Sequence, residues 1–109
     1  MVVGLLAVGC ASLRDSVVGE YERKDEDGNT YKRVFLDNGV YEYHYNGKKE
    51  EEFKWSIVDG EIYVHWYGER LGQVYRINTD KSITLIVSIY EGKRTDRPKE
   101  KQFTYKRIK

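Results

Sequence analysis

Tyr41, Tyr43 and Tyr45 alternate along one short segment, so in an extended chain their side chains face the same way. Three phenols on one face present apolar rings with polar tips, which suits a small-ligand cavity. The same spacing also builds a cross-strand aromatic ladder that only stabilises a sheet. Trp55 and Trp66 fall on the most apolar faces of neighbouring segments. Both are expected to pack in the core; the alternative is that one closes the base of the barrel near Gly19-Glu20-Tyr21 while the other touches a ligand. Arg76 follows Val74 by two residues and so shares its face. If Val74 turns inward, Arg76 does too, and its guanidinium could grip a ligand carboxylate in a bidentate pair. If not, Arg76 sits outside or at a rim, paired with a nearby Glu. His44 and His65 are the two histidines, on segments that a third one separates. A zinc site needs three or four ligands, so no metal and no cofactor are expected. The chain holds no Gly-x-Ser-x-Gly, no phosphate-cradling glycine loop and no metalloprotease helix. It is read as a non-enzyme with no catalytic residue.

Such side chains need a scaffold of alternating faces. From Val17 onward, runs rich in Val, Ile, Tyr, Phe, Trp and Thr are separated by Asp27-Gly28-Asn29, Asp37-Asn38-Gly39, Asn46-Gly47, Asp59-Gly60 and Glu91-Gly92. Asn-Gly and Asp-Gly suit tight hairpins, because Gly accepts positive φ without steric cost. Strands are predicted near 17–23, 31–36, 40–45, 52–58, 62–67, 74–78, 83–90 and 101–108, with room for a short helix near 96–100. Phe53, Trp55 and Ile57 give the clearest alternation, and Pro98 falls in the longest connection, where it costs no ladder hydrogen bond. Hairpin-linked strands of this length close into an eight-stranded antiparallel up-and-down barrel or a flattened β-clam; an immunoglobulin-like sandwich is the alternative.

Composition sets the limits. A chain of 109 residues makes one small core, and its fifteen aromatic residues exclude a disordered chain. The net charge of +1 argues against a general nucleic-acid binder. A single cysteine excludes an intramolecular disulfide framework and a cysteine-based zinc site. Charge is nevertheless uneven, because residues 93–109 carry most of the excess Lys and Arg. That basic end fits either a solvated edge guarded by Lys or a contact with an anionic lipid surface, a polymer or an acidic protein.

The apolar run Val2 to Gly9 is too short to span a bilayer and ends in Leu6-Ala7-Val8-Gly9-Cys10. It resembles the lipobox of bacterial lipoproteins. The resemblance implies a signal peptide over 1–9 and a mature chain over 10–109, with a lipid on Cys10, a tether over 10–16 and the barrel over 17–109. The protein would then be anchored in the cell envelope, on the periplasmic or cell-surface side. The other reading makes residues 1–9 a buried first element and Cys10 a core thiol. Gly19-Glu20-Tyr21 is similar to the Gly-x-Trp signature of lipocalins, and the stretch from Phe53 to Ile62 resembles the mid-barrel pattern of small bacterial lipocalin-like domains. That resemblance implies a cup-shaped barrel around a small apolar or amphipathic molecule. Tyr41, Tyr43, Tyr45, Trp66 and Arg76 are the candidate ligand contacts. The chain is expected to be a monomer that meets a membrane through its lipid, a small hydrophobic ligand and an envelope protein, but no nucleic acid. The competing reading is a ligand-free interaction module. A solid core of Trp55, Trp66, Ile62, Val64, Leu85 and Val87 would favour that module, and an open cup with inward Arg or Tyr side chains would favour ligand binding.

Overall fold

The computed structural model describes residues 13–66 and 70–109; Cys10 and the signal-like run before it lie outside them. Among the described residues the chain forms β1 (Gly19–Lys24), β2 (Thr30–Phe35), β3 (Val40–Tyr45), β4 (Lys48–Val58), β5 (Glu61–Trp66), β6 (Leu71–Ile77), β7 (Ile83–Tyr90), β8 (Lys93–Asp96) and β9 (Thr104–Arg107). Each of β1 to β7 pairs antiparallel with the next, and β9 joins β7 back to β1. The result is the closed eight-stranded antiparallel barrel anticipated from the turns, with β8 as one strand more.

Turn chemistry explains the meander. Asn46-Gly47, Asp59-Gly60 and Glu91-Gly92 all carry positive φ at both residues, the backbone whose twist matches flanking antiparallel strands. Two glycines are required by close approach. A Cβ on Gly19 would collide with the Lys109 carbonyl, and one on Gly72 with the Val64 carbonyl. Gly19 therefore lets the end of the chain close against β1, and Gly72 lets β5 and β6 coil tightly.

The extra strand has a physical origin. Val74 pairs with Val87 and Tyr75 with Leu85, so Ile86 has no partner on β6 and bulges β7. A bulge bends its strand and increases the local twist. On one side of it Ile83 and Thr84 pair with β9; on the other, Val87 to Tyr90 pair with β8. The last predicted strand, 101–108, is thus shorter, and 93–96 is a strand rather than a connection. All four β8 residues are exposed, so this strand carries no hydrophobic period to read. A 3-10 turn at Lys99–Lys101 follows Pro98.

The barrel has two unlike ends. Residues 13–17 are helical and cover one of them: Val17 is buried, its carbonyl accepts from Tyr21 Oη at 2.7 Å, and Arg14 lies over the Trp55 ring. Arg107 ties this cover down by donating to the Ser16 and Val18 carbonyls and to Tyr21 Oη. Above it, Phe35 meets Tyr21, Tyr41, Trp55 and Tyr75 at centroid distances of 5.3–6.2 Å. Ile62, Val64, Ile83 and Leu85 complete this half. The β1–β2, β3–β4 and β7–β8 turns surround the opposite end, the mouth.

Candidate functional site

The site begins with an arginine in the middle of the barrel. On β2 the inward positions are Tyr31, Arg33 and Phe35, set opposite Tyr45, Tyr43 and Tyr41 on β3. Arg33 is 8% exposed. Its Nε donates to Tyr75 Oη at 3.2 Å and its Nη2 to Tyr105 Oη at 2.8 Å, so β6 and β9 hold it from across the barrel. Its guanidinium lies 4.3 Å from the centroid of the Tyr43 ring and 4.7 Å from that of Tyr105. Nη1 is buried with no hydrogen-bond partner, and among the described residues no carboxylate pairs with this side chain.

Burying a cation this way is costly unless it is compensated. Two phenols accept from the guanidinium; burial works against its charge, and Tyr75, Tyr41 and Tyr105, once ionised at high pH, raise the pKa of Arg33 above the ordinary arginine value. Tyr41 and Tyr105 do not act as counter-anions near neutrality. Burial raises the pKa of Tyr41 well above that of a free phenol, and burial with the neighbouring Tyr75 raises that of Tyr105 despite Arg33 and Arg23.

Beside Arg33, Tyr43 also lines a hollow of about 290 Å³ together with Glu51, Phe53 and Trp66. Phe53 lies 5.6 Å from Trp66, giving the hollow an apolar wall. Trp66 Nε1 is buried without a hydrogen-bond partner, a second donor that nothing among the described residues accepts from. A third is Nε of Arg23, whose guanidinium lies over Tyr31 and Phe103 at 4.4 and 4.3 Å. Unpaired donors, aromatic walls and an adjoining hollow can hold the acceptor end of a small molecule, with its apolar part on the rings.

The sequence candidates separate along the barrel axis. Tyr41 is core, stacked on Phe53 at 6.2 Å and tilted against Phe35. Tyr43 borders both the hollow and Arg33, and Tyr45 meets Tyr31 at 5.2 Å nearer the rim. Trp55 belongs to the covered end, where its Nε1 donates to the Leu36 carbonyl at 2.9 Å, and Trp66 to the hollow.

Arg76 does not face inward. It is exposed and donates to Asn78 Oδ1 at 3.1 Å. It does share a face with Val74, but that face is the outer one. Val74 and Val87 are buried there, in a row with Tyr63 and Asp96. Arg94 crosses this row from β8 to reach Glu61 and Tyr63 Oη on β5. A buried valine was thus no guide to the barrel interior. The arginine at the middle of the interior is Arg33, and its signal was the flanking pair Tyr31 and Phe35, large aromatics two residues to either side.

His44 bonds Glu42 at 2.9 Å and His65 bonds Ser56 at 3.1 Å, on separate strands. Among the described residues no group of three His, Cys, Asp or Glu side chains could hold a metal ion. No family model matches the chain, and neither a curated protein nor a solved structure matches it.

Proposed function

We propose that the barrel is a binding cup for one small amphipathic molecule, and that a lipid on Cys10 holds it at a membrane of the bacterial envelope. The observation that carries the reading is Arg33: a buried guanidinium with a free N–H, no carboxylate partner among the described residues, and an aromatic hollow beside it. A purely structural arginine would be expected to spend all its buried donors on the protein, as Arg107 spends its own on two main-chain carbonyls and a phenol. The six residues whose joint packing would have marked a solid module divide: Trp55, Ile62, Val64 and Leu85 form the core, Trp66 borders the hollow, and Val87 lies on the outer face.

Anchoring supports an orientation. The helical residues 13–17 cover the end opposite the mouth, so a lipid at Cys10 would bring the covered end to the bilayer and turn the mouth away. The reading involves no catalysis. One observation favours an added role in partner binding: β8 is an exposed strand with Lys93 and Arg94 along its length, and its outer edge pairs with no strand among the described residues.

Native mass spectrometry of the full chain purified from its own cell envelope, compared with the same sample denatured, tests both parts. A bound mass lost on denaturation, together with a diacylglycerol-sized increment on the Cys10 peptide, is the expected result. A ligand-free mass that stays unchanged after incubation with small amphiphiles overturns the cup. An unmodified Cys10 overturns the anchor.

A further inference from the structure

The seam where the barrel closes differs from its other ladders. Between β1 and β9 only Tyr21 with Arg107 and Glu22 with Lys106 are in register, although β1 runs on to Lys24 and β9 begins at Thr104. Beyond Glu22 no further pair is in register, and a depression of about 430 Å³ lined by Glu22, Arg23, Lys24, Thr104, Lys106 and Ile108 lies along that stretch. Arg23 belongs to both sides of this wall. It lines the depression, yet its guanidinium rests on the inward rings of Tyr31, Phe103 and Tyr105.

Arg23 and Arg33 therefore address the same phenol, at 5.6 and 4.7 Å from the Tyr105 centroid. Each keeps one buried N–H without a partner, and among the described residues neither pairs with a carboxylate. Two cations on one ring repel each other, Tyr105 stays a neutral phenol near pH 7, and among the described residues neither guanidinium has an ion-pair partner to offset that repulsion. A monoanion on Arg33 would leave Arg23 uncompensated. The seam carries Arg23, Lys24 and Lys106 against Glu22, whereas the mouth hollow carries Glu51, so an anion meets the more favourable field at the seam.

We infer that the molecule held in the barrel is a small organic dianion of the dicarboxylate type, with one carboxylate on Arg33, the second on Arg23, and entry through the β1–β9 seam. The inference rests on the cup reading above and narrows it to one ligand class. A carboxylate suits both positions because one of its oxygens can accept a charge-assisted bond from the unpartnered nitrogen of each guanidinium while its carbon chain lies on Tyr43, Tyr105 and Phe103.

The test is calorimetric titration of the full chain with unbranched dicarboxylates of increasing length, their monocarboxylates, the matching primary alcohols and inorganic phosphate. The best dicarboxylate is expected to bind about tenfold or more tightly than its monocarboxylate, since a charge-assisted bond adds at least that much. Arg23→Gln should remove most of this advantage by weakening the dicarboxylate more than the monocarboxylate, and Arg33→Met should weaken both acids. Arg33→Lys serves as the second interior variant: it keeps the charge but loses the bonds to Tyr75 and Tyr105 that fix the free donor in place, and should recover only part of the binding. Equal affinity for mono- and dicarboxylates overturns the dianion while the cup stands. Alcohols binding as well as acids overturn any anion selectivity and still leave the cup. Phosphate binding as tightly as the best dicarboxylate overturns the dicarboxylate assignment. No binding of any probe removes both the inference and the cup.

Discussion

The two halves of the barrel use the same residue types to opposite ends. At the covered end Trp55 gives its N–H to the Leu36 carbonyl, Tyr21 gives its O–H to the Val17 carbonyl, and Arg107 bonds two carbonyls and a phenol. Toward the mouth Trp66, Arg23 and Arg33 each retain a buried donor with no partner among the described residues. A satisfied polar group contributes modestly to stability, whereas an unsatisfied one costs the full desolvation of that group. The covered half is therefore built to hold the fold. The mouth half leaves three buried donors without a described partner, which in the proposed cup a ligand would satisfy.

The comparison breaks first at Phe35. It is fully buried among four aromatic rings, so Phe35→Ala should cost about 3–5 kcal/mol in denaturant titrations. If it costs less than about 1 kcal/mol, the covered half is not the stabilising one.

The two arginines give the next largest contrast. Arg107→Met strips partners from two main-chain carbonyls and should cost about 2–3 kcal/mol, with the helical cover over residues 13–17 loosened in hydrogen exchange. Arg33→Met removes two bonds to phenols but also a buried charge, and the two effects should cancel to within about 1 kcal/mol. Equal losses at the two positions would mean that Arg33 is structural.

The tryptophans sharpen the same point on a smaller scale. Trp55→Phe deprives the Leu36 carbonyl of its donor and should cost about 1–2 kcal/mol, whereas Trp66→Phe removes an N–H that has no partner and should cost at most about 0.5 kcal/mol. Thermal unfolding of the two variants side by side decides this.

Acid titration gives the smallest effect and compares the turns at the two ends. Asn29 holds the Asp25 carboxylate below its ordinary pKa near the mouth, and the Ser82 hydroxyl does the same for Asp80 at the covered end. A lowered carboxylate pKa adds stability above the unfolded value of about 3.9, and that stability is lost as the pH falls through the folded value. Asp25→Asn and Asp80→Asn should each lower Tm modestly near pH 7 and converge on the parent in acid, so that Tm falls less below about pH 4 than it does in the parent. An acid limb identical to the parent's would show that neither turn is held by its carboxylate.

Much of the barrel was legible because hairpins are local. Asn46-Gly47 and Asp59-Gly60 state their backbone directly, and Phe53, Trp55 and Ile57 state an inward face through period two. β8 was not legible, since a wholly exposed strand leaves no alternation and owes its existence to the Ile86 bulge and to β7 as its template. Of the site, Tyr43 and Trp66 were visible as aromatics with alternating spacing, but Arg33 was not. A charged residue reads as outward unless its neighbours at two residues' distance are weighed, and Val74 pointed to the wrong arginine because it is buried on the outer face.

By itself, then, the sequence determined an antiparallel meander with one aromatic-rich interior, through turn residues and alternation that act within a few positions of each other. Tertiary structure alone decided which charges enter that interior. Arg33 finds Tyr75 and Tyr105, distant in the chain, only once the barrel closes, and Arg23 reaches Tyr105 only across the seam. A side chain's face is settled locally, but whether its charge is balanced depends on every strand that meets it.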